Sequence, residues 1–460
     1  MSADGPKASV YFHSLGCPKN LLDTEVMLGT LATRGYALAE SLDDADVAVI
    51  NTCSFIESAR EESIQAILDV ADLRQSGRLR SLVVAGCLPQ RYGAELAKEL
   101  PEVDVFVGTS HYQAIDGILD DALAGRGRGL YVEPGHTHLY DHEAPRVLSG
   151  HGASAYLKIA EGCDRVCAFC AIPEIRGRFQ SRELHSVLAE AEQLASMGVR
   201  EINLVAQDST AWGKDLHPIA EGAGRPRIAE LLRGLDDVEG LEWVRLLYIY
   251  PTSVDDALLE VLANGKRVLP YVDIPLQHAA ENLLKRMRRG TTADRQRALV
   301  ERIRSAIPHA TLRTTYIVGF PGETDEDFET LLQFARDTPF DRVGVFRYSD
   351  EEGTAGFELG EKVPRELARE RYQRLTALLA EQLAARLEGQ VGKIADALVE
   401  GPVGGGWLQA RLASQAPEID GVTFLRPWEG FGAGDLVPVR ITGVRGGVDL
   451  EAERFDPASL

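Results

Sequence analysis

The stretch AYLKIAEGCDRVCAFCAIPEIRGR, Ala155 to Arg178, decides the architecture. An apolar run leads into Cys163, Cys167 and Cys170, spaced C-x3-C-x2-C. On a helix those positions would share one buried face. Gly162 just before them and Pro173 just after argue instead for a loop at the mouth of a strand. A structural zinc site wants four ligands, and a [4Fe–4S] cluster is usually held by four cysteines. Three thiols therefore point to a cluster with one iron left open to a substrate or cofactor. A zinc ion completed by a His or Asp is the alternative.

Upstream, residues 8–124 alternate strand and helix. The apolar runs ASVYFHSLGC, DVAVINTC and LRSLVVAGC end at Cys17, Cys53 and Cys87, and VDVFVGT (103–109) adds a fourth strand. Helical spacing fills the gaps, so this segment reads as an open parallel α/β sheet. Ligands bind such sheets at the carboxyl ends of the strands. Three core cysteines would scatter; three at equivalent strand ends form a second three-thiol site. The chain's six cysteines divide evenly between the two, which predicts two [4Fe–4S] clusters and no disulfide.

Residues 125–148 are rich in Gly, Pro and His without periodicity and read as a linker. Their G-x-G-x-G precedes no helix and makes no dinucleotide fingerprint. His136 and His138 there are read as solvated rather than metal-binding. From 149 to 388 the rhythm returns, with strands expected at 155–162, 200–208, 242–251, 271–278, 312–322 and 341–350 and amphipathic helices between most of them. Six such units predict a partial (β/α)6 barrel with its site at the carboxyl ends of the strands. A charged helix over about 365–388 leads out. Residues 389–457 change to short strands with Gly turns, expected at 393–401, 407–415, 421–427, 435–444 and 448–454, which suits a small all-β, OB-like barrel.

The 460 residues carry 70 acidic and 49 basic side chains, a net charge of −21. Such a field repels polyanions at long range and favours a basic partner. The N-terminus, MSADGPKASVYF, has no basic segment followed by an apolar one, and no apolar run reaches membrane-spanning length, so a cytoplasmic protein without a membrane partner is expected.

C-x3-C-x2-C after a first barrel strand, with Phe169 directly before Cys170, resembles the radical S-adenosylmethionine superfamily. The resemblance implies that S-adenosylmethionine is the missing fourth ligand, bound to the open iron through its amino and carboxylate groups. It also implies that the reduced cluster cleaves it to a 5′-deoxyadenosyl radical, which activates inert C–H bonds. TTYIVGFPGETDEDF (314–328) is similar to that superfamily's fifth-strand Gly motif, which implies Ile317 and Gly319 near the adenine. VAQDST (205–210) and DIPLQH (273–278) end the second and fourth strands, so Gln207, Asp208, Gln277 and His278 are candidates to face the cofactor.

The three-cysteine α/β domain, radical domain and terminal barrel together resemble the methylthiotransferases, with the barrel corresponding to their TRAM domain. These enzymes insert sulfur into a C–H bond and methylate it, consuming S-adenosylmethionine in both roles and needing sulfur and electron donors. One branch acts on tRNA adenosine, the other on the β-carbon of an aspartate in the twelfth small-subunit ribosomal protein. SLGCPKNLLDTE (14–25), INTCSFIESAREES (50–63), VAQDSTAWGKD (205–215) and PLQHAAENLLKRM (275–287) resemble the second branch, the RimO family. Leu22, Thr24, Glu174 and Ile175 depart from its usual residues and leave the cysteines untouched.

Charge gives an independent vote. A tRNA-binding barrel should be basic, yet residues 391–460 hold six basic against ten acidic side chains, with Lys393 the single lysine. That composition suits a basic ribosomal protein and disfavours tRNA. Trp407, Trp428 and Phe431 are expected to pack the small core rather than stack on bases. A non-catalytic iron–sulfur or zinc scaffold would require both open cluster sites to be coincidental.

Overall fold

A computed structural model of the chain describes residues 6–126, 128–135, 138–150, 152–218, 224–428 and 430–456. They form two compact units: one of 1–149, 160–182 and 349–357, the other of 150–159, 183–348 and 358–460.

The first unit is built on six parallel strands: β1 (Ser9–Ser14), β2 (Ala37–Leu38), β3 (Val47–Thr52), β4 (Ser81–Gly86), β5 (Val105–Gly108) and β6 (Gly129–Tyr131), in the order β2-β1-β3-β4-β5-β6. Strand alternation splits the apolar residues between two faces. Val47, Val49, Val83 and Val105 face α1 (Pro18–Thr33) and α4 (Ile115–Leu123). Ala48, Ile50, Leu82 and Val84 face α2 (Glu57–Gln75) and α3 (Cys87–Glu99). The chain leaves β1 toward β2, then returns to β3 on the other side, so the strand order reverses between β1 and β3. Such a reversal opens a crevice between the flanking loops.

The expected linker is corrected in part: Gly129–Tyr131 pairs with Val105–Val107 as the sheet's edge strand. Three residues are too few to show periodicity in a Gly-rich context. His136 lies outside the described residues, and His138 is exposed.

The second unit carries the barrel strands β7 (Ser154–Lys158), β10 (Glu201–Val205), β11 (Trp243–Leu246), β12 (Tyr271–Asp273), β13 (Thr311–Val318) and β14 (Arg342–Arg347). They pair in parallel as β11-β10-β7 and β12-β13-β14. The Val244–Val268 bridge and the Ile249 N–H donating to the Asp273 carbonyl at 2.9 Å join the two halves. Helices α6 (Leu184–Ser196), α7 (Ile228–Asp236), α8 (Asp256–Asn264), α9 (Glu281–Arg286), α10 (Ala293–Ala306) and α11 (Asp325–Asp337) follow the strands in turn. The partial (β/α)6 barrel is thus observed.

The first barrel strand is shorter than expected. β7 stops at Lys158, and Ala160–Glu161 (β8) turns to pair antiparallel with Gln180–Ser181 (β9), flanking the short helix α5 (Ile172–Arg176). Gly162, at φ +76, permits this departure; a Cβ there would meet the Arg178 carbonyl oxygen at 2.1 Å.

Helix α12 (Arg365–Glu388) leads to β15 (Ile394–Val403), β16 (Trp407–Leu412), β17 (Thr423–Leu425), β18 (Leu436–Arg445) and β19 (Asp449–Arg454), a closed barrel in the order β15-β16-β17-β19-β18. Closure removes the sheet edges. Trp428 and Phe431 pack against the barrel core, as expected, with ring centroids 3.9 Å apart. Trp407 lies outside that core, covered by the Arg426 guanidinium at 3.7 Å. Arg411 of β16 reaches the start of β10, where it pairs with buried Glu201, and its Nε donates to Glu400 at 2.6 Å. No helix among the described residues is long and apolar enough to cross a membrane.

Candidate functional site

Cys17 precedes α1, Cys53 follows β3, and Cys87 opens α3 at the end of β4. β1, β3 and β4 are neighbours, so three cysteines separated by dozens of residues meet at adjacent carboxyl ends, two of them on either side of the strand reversal. Two glycines make the approach possible. Gly16 has φ +90, and a Cβ there would lie 2.7 Å from the Cys53 Cβ. Gly86 has φ +109, with the Thr52 carbonyl oxygen 2.4 Å from its would-be Cβ. Only glycine tolerates both the left-handed backbone and the contact. Ser63 of α2 then fixes Cys53, its Oγ accepting from the Cys53 N–H at 3.1 Å and donating to its carbonyl at 2.9 Å. Asn20 ties the strand ends together by donating to the carbonyls of Leu15 at 2.8 Å and Thr52 at 3.1 Å.

A buried cation stands at this trio. Arg176, 2 % exposed, donates to Cys87 Sγ at 3.3 Å, Asn20 Oδ1 at 3.1 Å, Asp23 Oδ2 at 2.6 Å and Glu161 Oε2 at 3.3 Å. Burial pushes the Cys87 thiol up to about 12, with the Arg176 charge working against it, and burial likewise raises Cys53. Thiols in this state give up their protons when a metal binds. The clustering of three sulfurs with a guanidinium beside one of them fits an anionic iron–sulfur group. Sequence reasoning missed Arg176, Asp23, Asn20 and Glu161. Their only signal was polar residues within a few positions of cysteines, which is ordinary in any loop.

The second trio lies on the loop between β8 and α5, within the same compact unit. Cys163 is buried, whereas Cys167, Phe169 and Cys170 are half-buried. The Cys163 N–H donates to the Gly177 carbonyl at 3.1 Å, and the Arg165 N–H points at Cys163 Sγ at 3.4 Å. The Gly356 N–H donates to the Ala168 carbonyl at 2.6 Å. None of the six cysteines takes part in a disulfide among the described residues. Among those residues, too, no three His, Cys, Asp or Glu side chains converge on one point as ligands of a single metal ion. A cubane takes each thiolate on a different iron.

The remaining candidates sit at strand ends of the other unit. Gln207 follows β10 and is half-buried. Gln277 has φ +75 and bridges to β13, where the Ile317 N–H donates to its carbonyl at 2.7 Å. Among the described residues its buried side-chain Oε1 has no hydrogen-bond partner. A non-glycine residue at such φ stores strain of about 1–3 kcal/mol, and such strain gathers at functional sites. Ile317 lies on the half-buried side of β13, whose exposure alternates strictly. Gly319, at φ +80, turns the chain out of the strand, and a Cβ there would meet the Ala368 Cβ at 2.6 Å. The Gly319 and Phe320 N–H groups both donate to Glu323 Oε2, and burial raises the Glu323 carboxyl to about 7.

Two further candidates, His278 and Asp208, are buried and engage neighbours within their own loops. His278 is fully buried; its Nδ1 accepts from the Ala280 N–H at 3.0 Å, and burial lowers its pKa to about 4. Asp208, also buried, accepts from the Thr210 hydroxyl at 2.6 Å.

Comparison with known proteins matches three segments. Residues 9–108 match the family described as Uncharacterized protein family UPF0004, 157–335 the Radical SAM superfamily and 391–454 the TRAM domain. Among solved structures, the radical S-adenosylmethionine methyltransferase TsrM from Kitasatospora setae, with cobalamin and a [4Fe-4S] cluster bound, superposes with a TM-score of 0.52 at 17% identity, covering 74% of each chain. That likeness concerns the fold. Proteins named ribosomal protein uS12 methylthiotransferase RimO are far closer in sequence. The one from Anaeromyxobacter sp. (strain K) is 47% identical over 94% of this chain and 90% of its own. That from Sorangium cellulosum is 46% identical over 97% and 91%, and that from Trichlorobacter lovleyi 45% over 98% and 99%. By that identity along nearly its whole length, and with both cysteine trios in place, the chain belongs to the RimO family of ribosomal protein uS12 methylthiotransferases.

Proposed function

We propose that this protein is an enzyme that transfers a methylthio group to ribosomal protein uS12 by radical S-adenosylmethionine chemistry, at the β-carbon of an aspartate. The observation that carries this reading is the pair of three-cysteine sites in one compact unit, on a chain 45–47% identical to RimO proteins. Cys17, Cys53 and Cys87 are assigned to one [4Fe–4S] cluster and Cys163, Cys167 and Cys170 to the other. When bound, the second cluster and S-adenosylmethionine supply the radical that opens the C–H bond.

The chain's own residues position these groups. Gly16 and Gly86 let the first trio assemble, and Asn20 and Ser63 hold its backbone. Phe169 on the cysteine loop, with Gln207, Gln277, Ile317 and Gly319 at strand ends, is assigned to S-adenosylmethionine binding. Residues 8–124 with the added edge strand form the auxiliary domain, 149–388 the radical domain and 389–457 the TRAM barrel. The acidic barrel favours basic uS12 over tRNA. Separate sulfur and electron donors are required, and the setting is the cytoplasm.

The test is anaerobic reconstitution with iron and sulfide, reduction, and incubation with S-adenosylmethionine and either uS12 or unmodified tRNA. Mass spectrometry should find a methylthio group on a uS12 aspartate. Methylthiolation of tRNA alone would overturn the choice of substrate, and no product on either, with both clusters loaded, would overturn the activity.

A further inference from the structure

Arg176 touches the first cysteine site in space and follows the second along the chain. It ends α5, the helix that begins two residues after Cys170. Ala171 and Ile175 of the same segment pack directly on Cys87, and the Ile175 carbonyl accepts from the Thr109 hydroxyl at 3.0 Å. The guanidinium is therefore delivered to Cys87 Sγ by a rigid contact. It is buried with two carboxylates, Asp23 at 2.6 Å and Glu161 at 3.3 Å, so its charge is offset by anions as well as spent on the sulfur.

We propose that Arg176 is a positioning residue that sets the reduction potential of the cluster held by Cys17, Cys53 and Cys87, with Asp23 and Glu161 as its counterweights. This rests on the cluster assignment above. Hydrogen bonds to ligand sulfurs, net charge and exposure are the levers a protein has over such a potential. A buried cation donating to a ligand thiolate stabilises the reduced state, which carries one more electron. Removing it lowers the potential. Removing a carboxylate that balances it raises the potential. The two substitutions act in opposite directions because they change the local charge with opposite sign.

The experiment is an EPR-monitored redox titration of the full-length, cluster-loaded protein. A Cys163, Cys167 and Cys170 triple alanine variant identifies which signal belongs to the first trio. Arg176→Gln should shift the one-electron reduction equilibrium at least tenfold against reduction, about 59 mV downward, with iron content retained. Arg176→Lys, keeping charge but not the fork, should recover part of the shift. Asp23→Asn should move the potential upward, and it supplies the reading if Arg176→Gln fails to fold. A merely structural role for Arg176 moves all variants the same way or not at all. A reduction equilibrium unchanged within twofold in both Arg176→Gln and Asp23→Asn, with the signal present, overturns the proposal. If the wild-type protein shows no signal from the first trio, the cluster assignment itself falls and the inference with it.

Discussion

Glu201→Gln should destabilise the second unit by about 3 kcal/mol at neutral pH. Glu201 opens β10, is fully buried, and accepts from Arg245 at 2.9 Å, from Ser154 Oγ at 2.9 Å and from Arg411 of the terminal barrel. Burial alone would raise its carboxyl; the charges of Arg411 and Arg245 outweigh that and lower it from 4.5 to about 2. A folded-state value below the unfolded one means the stabilisation is complete above about pH 4.5 and fades as pH falls toward 2. A displacement from 4.5 to about 2 is worth about 3 kcal/mol, close to the 3–5 kcal/mol typical of breaking a buried pair. All four tryptophans, Trp212, Trp243, Trp407 and Trp428, lie in this unit, so urea unfolding followed by tryptophan fluorescence reports on it. The difference between wild type and Glu201→Gln should shrink by about half or more between pH 7 and pH 3. A difference below about 0.5 kcal/mol at pH 7, or one independent of pH, would refute the reasoning.

Other consequences follow from the same geometry. Gly16→Ala places a methyl against Cys53 in a backbone that alanine resists, so the reconstituted protein should lose about half its iron while Cys163, Cys167 and Cys170 keep theirs; iron and sulfide analysis checks this. Gln277→Gly removes strain of about 1–3 kcal/mol together with a buried amide, so the urea midpoint should rise while affinity for S-adenosylmethionine, measured by equilibrium dialysis, falls. If the acidic barrel attracts uS12 electrostatically, the association rate should drop as salt rises from 50 to about 200 mM, as screening shortens the field; stopped-flow mixing would show a flat response if the attraction is not electrostatic.

Much of this was legible in the linear chain because its signals are local. Apolar runs of strand length end at Cys17, Cys53 and Cys87, and each strand end carries its cysteine wherever the strand goes. The C-x3-C-x2-C loop, bracketed by Gly162 and Pro173, needs no tertiary information either. The five strands of the terminal barrel followed from Gly turns at short spacing. Composition also anticipated that Trp428 and Phe431 pack a core, since a small barrel has few other large side chains to fill it.

What the tertiary structure decided depends on partners remote in sequence. Arg176 meets Asp23 across 153 residues, and no local pattern marks either as buried, because a charged residue beside a loop is solvated by default. The reversal of strand order between β1 and β3 is a matter of which neighbour each strand chooses. β6 exists only because β5 offers an unpaired edge to three otherwise unremarkable residues. β7 ends at Lys158, earlier than its apolar run implies, because Gly162 and the pairing of β8 with β9 draw the chain away. His278 and Asp208 stand at strand ends in the sequence, and only the fold shows His278 accepting a backbone N–H and Asp208 a hydroxyl, since neighbours brought in by packing set those partners. Residue type and spacing determined the chemistry this chain can hold; long-range packing determined which charges stand beside it.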